Sequence, residues 1–232
     1  MSNSAANAMP TFNVAILRKP ESIKTKLETL RKNYPEFTDI ADIVSMCLGS
    51  SATNDYLEKI GAEAIGARHL ENKLGGDGEL HGRNIEVKPK KDSPGVINVG
   101  VINDDTPMKL LETHTTYSYI VFINATKDGS RINYALCAPY AYWENSRYQE
   151  ILKKLDLKEE TGWTWGTTLP TVEAERVRCL NALVEKHKKG VYVRSSPLSL
   201  SVLATIPKRY IVFWKHPDLE KKKLHKILQE FC

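Results

Sequence analysis

Apolar residues recur at helical spacing through the first third of the chain and give way to strand-like alternation after it. Glu21 to Asn33 carries Ile23, Leu27 and Leu30 with lysines between them and is stopped by Pro35, the pattern of a surface helix. Asp39 to Leu48 is a second apolar helical stretch, closed by Gly49. Thr53 to Ala67 opens on a capping residue and holds Leu57, Ile60 and Ile65 at mixed helical spacing. Three helices are thus predicted before the first strand.

Beyond them Gly75, Gly76 and Gly78 punctuate the chain, and Leu80-His81-Gly82-Arg83 reads as a turn into a strand from Asn84 to Lys88. Val96 to Ile102 is rich in β-branched residues. Tyr117 to Asn124 reads as a buried strand, followed across the turn Lys127 to Ser130 by a strand from Arg131 to Ala138. Pro107 to Thr113 suits a short helix. Further helices are expected from Pro139 to Leu155, from Val172 to Lys188 and, Lys-rich, from Pro217 to Phe231. A Trp- and Thr-rich loop is expected at Gly162 to Thr168, and late strands at Gly190 to Arg194 and Arg209 to Trp214. Helices flanking a central sheet make this a mixed α/β protein. With no repeat or low-complexity linker, residues 13–232 are expected to form one domain around one core, and residues 1–12, polar and Ala-rich, a loose arm.

Composition changes this picture little. Of the 232 residues 41% are hydrophobic, and Lys and Arg exceed Asp and Glu by 33 to 28, a net charge of +5 that eases approach to a polyanion without requiring one. Cys47, Cys137, Cys179 and Cys232 form no C-x-x-C pair, so a reducing compartment is expected and a structural zinc site is not. No leader-like or membrane-spanning run stands out, and cytoplasm is the default location.

Chemistry concentrates between Gly75 and Lys90. Alternation along a strand places Glu86 and Lys88 on one side and Ile85 and Val87 on the other, toward the core. A short hairpin returns Asp77 to the same end of the sheet, so two carboxylates converge beside one ammonium. Mg2+, with Mn2+ as a substitute, takes such hard oxygen ligands together with substrate phosphate oxygens, and makes water acidic enough to attack phosphorus with a lysine nearby. The rival reading is a solvent-facing hairpin with a surface Glu-Lys pair. Gly76 and Gly78 are expected to supply positive φ and room for a phosphodiester.

Gly-Asp-Gly followed by Glu-Val-Lys resembles the PD-(D/E)XK nuclease signature found in type II restriction endonucleases, with Asp77 as the first acid, Glu86 as the second and Lys88 as the lysine. Gly76 stands where the family often has Pro. The resemblance implies a restriction-endonuclease-like fold, a central mixed β-sheet flanked by α-helices, and Mg2+-dependent hydrolysis of double-stranded DNA at a short sequence, with a cognate methyltransferase as system partner. It also implies a further Glu near the metal on the preceding helix, for which Glu58 is the best candidate and Asp55 and Glu71 are its rivals. Since one chain offers one centre, a homodimer is expected. For contact with DNA the candidates are Lys90, Asn98, Asn103, Asp104 and Asp105, although Asp104 or Asp105 could equally cap a helix. Trp163 to Thr168 and the segment from Arg194 are further candidates. The histidines show no metal-ligand spacing, and no nucleophile elbow or phosphate loop is present. A structure-selective nuclease and a non-catalytic nucleic-acid-binding protein remain as alternatives.

Overall fold

In the computed structural model the described residues are 9–49, 53–71, 76–96, 98–105, 116–146, 173–186 and 193–232. The Asn13 side chain caps a single helical turn, α1 (Val14–Leu17), by accepting from the Ala15 N–H at 3.1 Å. Helix α2 (Lys19–Asn33) carries Pro20 in its first turn, where no N–H is required. Pro35 opens a 3-10 turn that leads into α3 (Thr38–Gly49), which folds back on α2. Arg31 Nη2 ties the two helices by donating to Asp42 Oδ1 at 2.6 Å and Ser45 Oγ at 3.0 Å.

Helix α4 (Thr53–Ala64) ends three residues before the expected Ala67. Gly66 adopts φ +80°, and the N–H groups of Gly66 and Ala67 turn back to the carbonyls of Glu63 and Ala62, a left-handed helix stop that only glycine makes without strain. The early stop frees Arg68–His69 to form a short strand, β1, that the pattern of the sequence does not announce.

The main sheet has six strands in the order β1-β2-β3-β5-β6-β8. Its other members are β2 (Gly78–Leu80), β3 (Arg83–Lys91), β5 (Tyr117–Ala125), β6 (Ile132–Pro139) and β8 (Val212–Lys215). Only β3 and β5 run parallel; every other neighbouring pair is antiparallel. Strand β4 (Asn98–Asp105) leaves this sheet and pairs antiparallel with β7 (Val193–Ser199) in a ribbon of two strands.

Apolar residues line both faces of the main sheet. One layer joins Leu57 and Ile60 of α4 to Ile85, Val87, Val121 and Ile123, and Met9 and Phe12, within the expected arm, pack on its margin. The opposite layer joins Ile120, Phe122 and Leu136 to Trp143, Leu200 and Leu228. The single expected core is therefore two layers separated by one sheet, and the mixed α/β class holds.

Two expectations for the C-terminal half change, and the helix expected from Val172 to Lys188 is found. Pro139 ends β6 instead of opening a helix, and residues 141–146 are helical. Helix α5 is Glu173–Lys186. The long terminal helix is replaced by a 3-10 turn at Lys221–Lys223 and the single turn α6 (Lys226–Gln229), because the buried Leu219, Leu224 and Leu228 are spaced for a folded-back chain and not for one helical face. The expected elements at Pro107 to Thr113 and Gly162 to Thr168 lie outside the described residues. None of the cysteines is disulfide-bonded, and among the described residues no helix is long and apolar enough to cross a membrane.

Candidate active site

The site is built on the β2–β3 hairpin. His81 and Gly82 form its two-residue loop with φ of 53° and 76°, both left-handed, which is the turn geometry whose twist matches paired strands. The turn sets the register Leu80 to Arg83, Glu79 to Asn84 and Gly78 to Ile85, and the Asp77 N–H continues it by donating to Ile85 O at 3.0 Å. Regular pairing ends there. The next β3 donor on that edge, Val87 N–H, is taken by the Asp77 side chain, whose Oδ2 accepts it at 2.6 Å. The carboxyl of Asp77 is thereby fixed against the backbone between Glu86 and Lys88.

Ile85 and Val87 are fully buried under α4, as alternation predicts. Glu86 and Lys88 form an ion pair, and their side chains are only 15% and 23% exposed, which argues against the solvent-facing surface pair. Burial and then the neighbouring negative charge of Glu86 push the Asp77 carboxyl up to about 7, against the Val87 hydrogen bond and the Lys88 ammonium, with Glu58 adding to the rise. Burial alone would lower Lys88, but Glu86, Asp77 and Glu58 outweigh it and raise the lysine above its ordinary value. Asp77, Glu86, Lys88 and Glu58 therefore lie within one another's electrostatic reach. Asp55 and Glu71, the rivals of Glu58, are exposed. Three carboxyl groups act electrostatically on one ammonium, a surplus of acid groups that a hard divalent cation would neutralise through oxygen ligands. The donor set of Asp77 and Glu86 fits such an ion.

No family model, curated protein or solved structure matches the chain.

The glycines act differently from the expectation. Neither Gly76 nor Gly78 has positive φ. They are small because the hairpin is tight: a Cβ on Gly76 would meet Ile85 O at 2.6 Å, and one on Gly78 would meet the Ala62 Cβ at 3.0 Å. They bring Asp77 close to β3 instead of clearing a path for substrate.

The candidate nucleic-acid contacts divide between two places. Lys90 follows Glu86 and Lys88 on the same side of β3, half-buried, with Nζ 3.9 Å from Asp92. Asn98 is exposed at the start of β4. Asn103, Asp104 and Asp105 belong to the body of β4, so the helix-capping alternative falls away: Asn103 is in register with Ser195 and Asp105 with Val193. Two polar segments singled out separately, 98–105 and the one from Arg194, are thus strands of one ribbon. Trp163 to Thr168 lies outside the described residues.

One further constellation was invisible in the sequence because its members lie 195 residues apart. His216, 5% exposed in its side chain, has Nε2 at 3.1 Å from Glu21 Oε2, and its Nδ1 accepts from the Asp218 N–H at 3.2 Å. With Asp218 these groups sit close enough to suggest a metal cluster. Both ring nitrogens already have partners on opposite sides of the ring, so we read it as a brace between α2 and the end of β8.

Proposed function

We propose that the chain is a divalent-metal-dependent deoxyribonuclease of restriction-endonuclease-like fold, a type II restriction endonuclease that cuts duplex DNA at a short sequence. The observation that carries this reading is the convergence of Asp77, Glu86 and Lys88, with the Asp77 carboxyl held by the Val87 N–H beside the Glu86–Lys88 ion pair. Glu58 supports it as an outer acid on the helix behind the strand.

Asp77 and Glu86 would hold Mg2+, or Mn2+ in its place, through carboxylate oxygens. When bound, the ion supplies Lewis-acid polarisation of the phosphodiester and a lowered pKa for nearby water. The residues of the chain do the positioning. Lys88, fixed by Glu86, presents an ammonium to the attacking water and to the charge that builds on phosphorus, and Glu58 adjusts the charge balance from behind. Lys90, one strand repeat further, suits the flanking phosphate. Cleaving both strands of a symmetric site calls for two centres and hence a homodimer, and a restriction role calls for a methyltransferase of matching sequence in the same host.

The test is digestion of a defined plasmid with the purified protein in Mg2+, followed by sequencing of the ends. The expected outcome is discrete ends at one short sequence, lost in EDTA and in Asp77→Ala and Lys88→Ala. Ends scattered over unrelated sequences would move the assignment to a structure-selective nuclease. DNA left intact in both Mg2+ and Mn2+ would defeat the nuclease reading.

A further inference from the structure

A cleft of about 410 Å³ lies between α2 and the turn that joins β5 to β6, and no residue of the Asp77 site lines it. Its volume falls within the range of about 300–1,000 Å³ that small-molecule sites occupy. Helix α2 contributes Lys24, Thr25 and Glu28 to the walls, and the turn contributes Thr126, Ser130 and Arg131. Both walls are set before anything enters. Gly129 takes φ +67° and its N–H closes the turn by donating to Thr126 O at 2.8 Å, while Asp128 Oδ1 accepts from the Thr126 and Ser130 hydroxyls at 2.6 and 2.8 Å. The bond between Glu21 and His216 ties the start of α2 to the end of β8.

One group in this cleft is left over. The Nε of Arg131 is buried without a hydrogen-bond partner, and its guanidinium forms no ion pair among the described residues. The acids around it are already engaged. Asp128 is held by two hydroxyls, by the Ser130 N–H and by Lys24, whose Nζ lies 3.6 Å away, and Glu21 is held by His216. Glu28 is exposed on α2, where water screens its charge. An arginine cannot shed its proton, so a buried donor of this kind calls for an acceptor that enters from outside. We propose that the cleft binds the phosphate or carboxylate end of a small molecule, with Arg131 as its anchor and Lys24 on the facing wall. The guanidinium fork matches either oxyanion, and the volume leaves room beyond it for the rest of the ligand. A DNA duplex carries its phosphates on a convex surface, whereas a donor buried between a helix and a turn is met by a group small enough to enter. The site is independent of the nuclease reading and stands or falls apart from it.

Isothermal titration calorimetry of the full, metal-free chain tests the proposal, with inorganic phosphate and with propionate as probes at constant ionic strength. At least one of the two anions is expected to bind at a single site in the millimolar range or tighter, and the one that binds identifies the group the cleft takes. Arg131→Gln is expected to weaken that binding about tenfold or more, the worth of a charge-assisted hydrogen bond. Lys222→Gln, which removes an exposed lysine already paired with Glu220, is expected to leave it unchanged. Thr25→Trp keeps Arg131 and fills the cleft from an exposed position on α2, and is expected to abolish binding while circular dichroism and melting temperature stay as in the wild type. Binding that survives Arg131→Gln or Thr25→Trp, or the absence of binding by either anion, would overturn the proposal. So would loss of anion binding on adding a short DNA duplex, which would assign Arg131 to the DNA backbone.

Discussion

Asp77 answers two demands that pull in opposite directions. Its Oδ2 satisfies a strand donor that would otherwise be unpaired, and its charge stands beside Glu86 in a half-buried place. Asp77→Asn keeps an acceptor oxygen and removes the repulsion. The metal-free variant is therefore expected to melt at or a little above the metal-free wild type, a gain of up to about 1 kcal/mol, and to lack the stabilisation by Mg2+ that the proposed function predicts for the wild type. Melting curves of both proteins in EDTA and in Mg2+ check this, and equal Mg2+ shifts would refute metal ligation by Asp77. Lys88→Ala has the opposite sign: it strands the acids without their counter-charge and is expected to cost about 2–3 kcal/mol in urea unfolding, less than a fully buried pair because Glu86 and Lys88 retain some exposure. Asp128 gives a separate pH prediction. Partial burial pushes its carboxyl up, but hydrogen bonds from Thr126 and Ser130 and the charge of Lys24 outweigh it and hold it at about 2, below the ordinary 3.8. A lowered folded-state value means stability that is present above the unfolded value and lost as pH falls toward the folded one. The side chain is 57% exposed, so the effect is screened to about 1 kcal/mol at most. Asp128→Asn and the wild type are expected to differ in denaturation midpoint near neutral pH and to converge as pH falls from about 4 to about 2.

Helix α4 is the element on which the site leans, and Gly61 is its point of closest approach: a Cβ there would lie 2.6 Å from Val87 Cγ1 and 3.2 Å from Ile123 Cγ1. Alanine would improve helix propensity by about 1 kcal/mol, but Val87 is β-branched and cannot swing aside, so overpacking of about 1–3 kcal/mol is expected to win. Gly61→Ala should unfold earlier in urea and also weaken Mg2+ binding, since the displaced residue donates the hydrogen bond that holds Asp77. This geometry also marks what local pattern can and cannot reveal. The hairpin is legible because Leu80-His81-Gly82-Arg83 reads as a turn after a glycine-punctuated stretch, and Ile85 and Val87 alternate as a half-buried strand must. Glu58 is favoured over Asp55 and Glu71 by the resemblance, which asks for a Glu on the preceding helix, but its approach to the site is not legible, because all three read as ordinary helix-surface or loop acids. It is decided by how α4 rotates when Leu57 and Ile60 are buried, which leaves Glu58 half-buried and Asp55 in solvent. Strand β1 has two residues, too few to alternate. The brace from His216 to Glu21 and the pairing of β4 with β7 join distant parts of the chain, and no window along the sequence contains both partners.

At the scale of the molecule the question is how a site on the main sheet would meet a specific stretch of DNA. The β4–β7 ribbon stands outside that sheet yet neighbours β3, the strand that carries Glu86 and Lys88. A two-stranded antiparallel ribbon has the width of a DNA major groove, and its register sets Asn103 opposite Ser195, polar residues able to pair with base edges. Lys90, on β3 itself, has the chemistry of a phosphate contact. Under the proposed function these two roles would separate experimentally in an Asp77→Asn background, which is expected to bind DNA without cutting it. Asn103→Ala with Ser195→Ala is expected to weaken binding to the cognate site by about 1–3 kcal/mol for each base that is no longer read, leaving affinity for random DNA and the salt dependence unchanged. Lys90→Ala is expected to weaken both alike and to reduce the slope of log affinity against log salt by about 1, the signature of one released counterion. Fluorescence anisotropy across a salt series measures both. Ribbon variants that bind every sequence equally weakly would place the ribbon on the phosphate backbone, and sequence reading would then belong to another part of the chain.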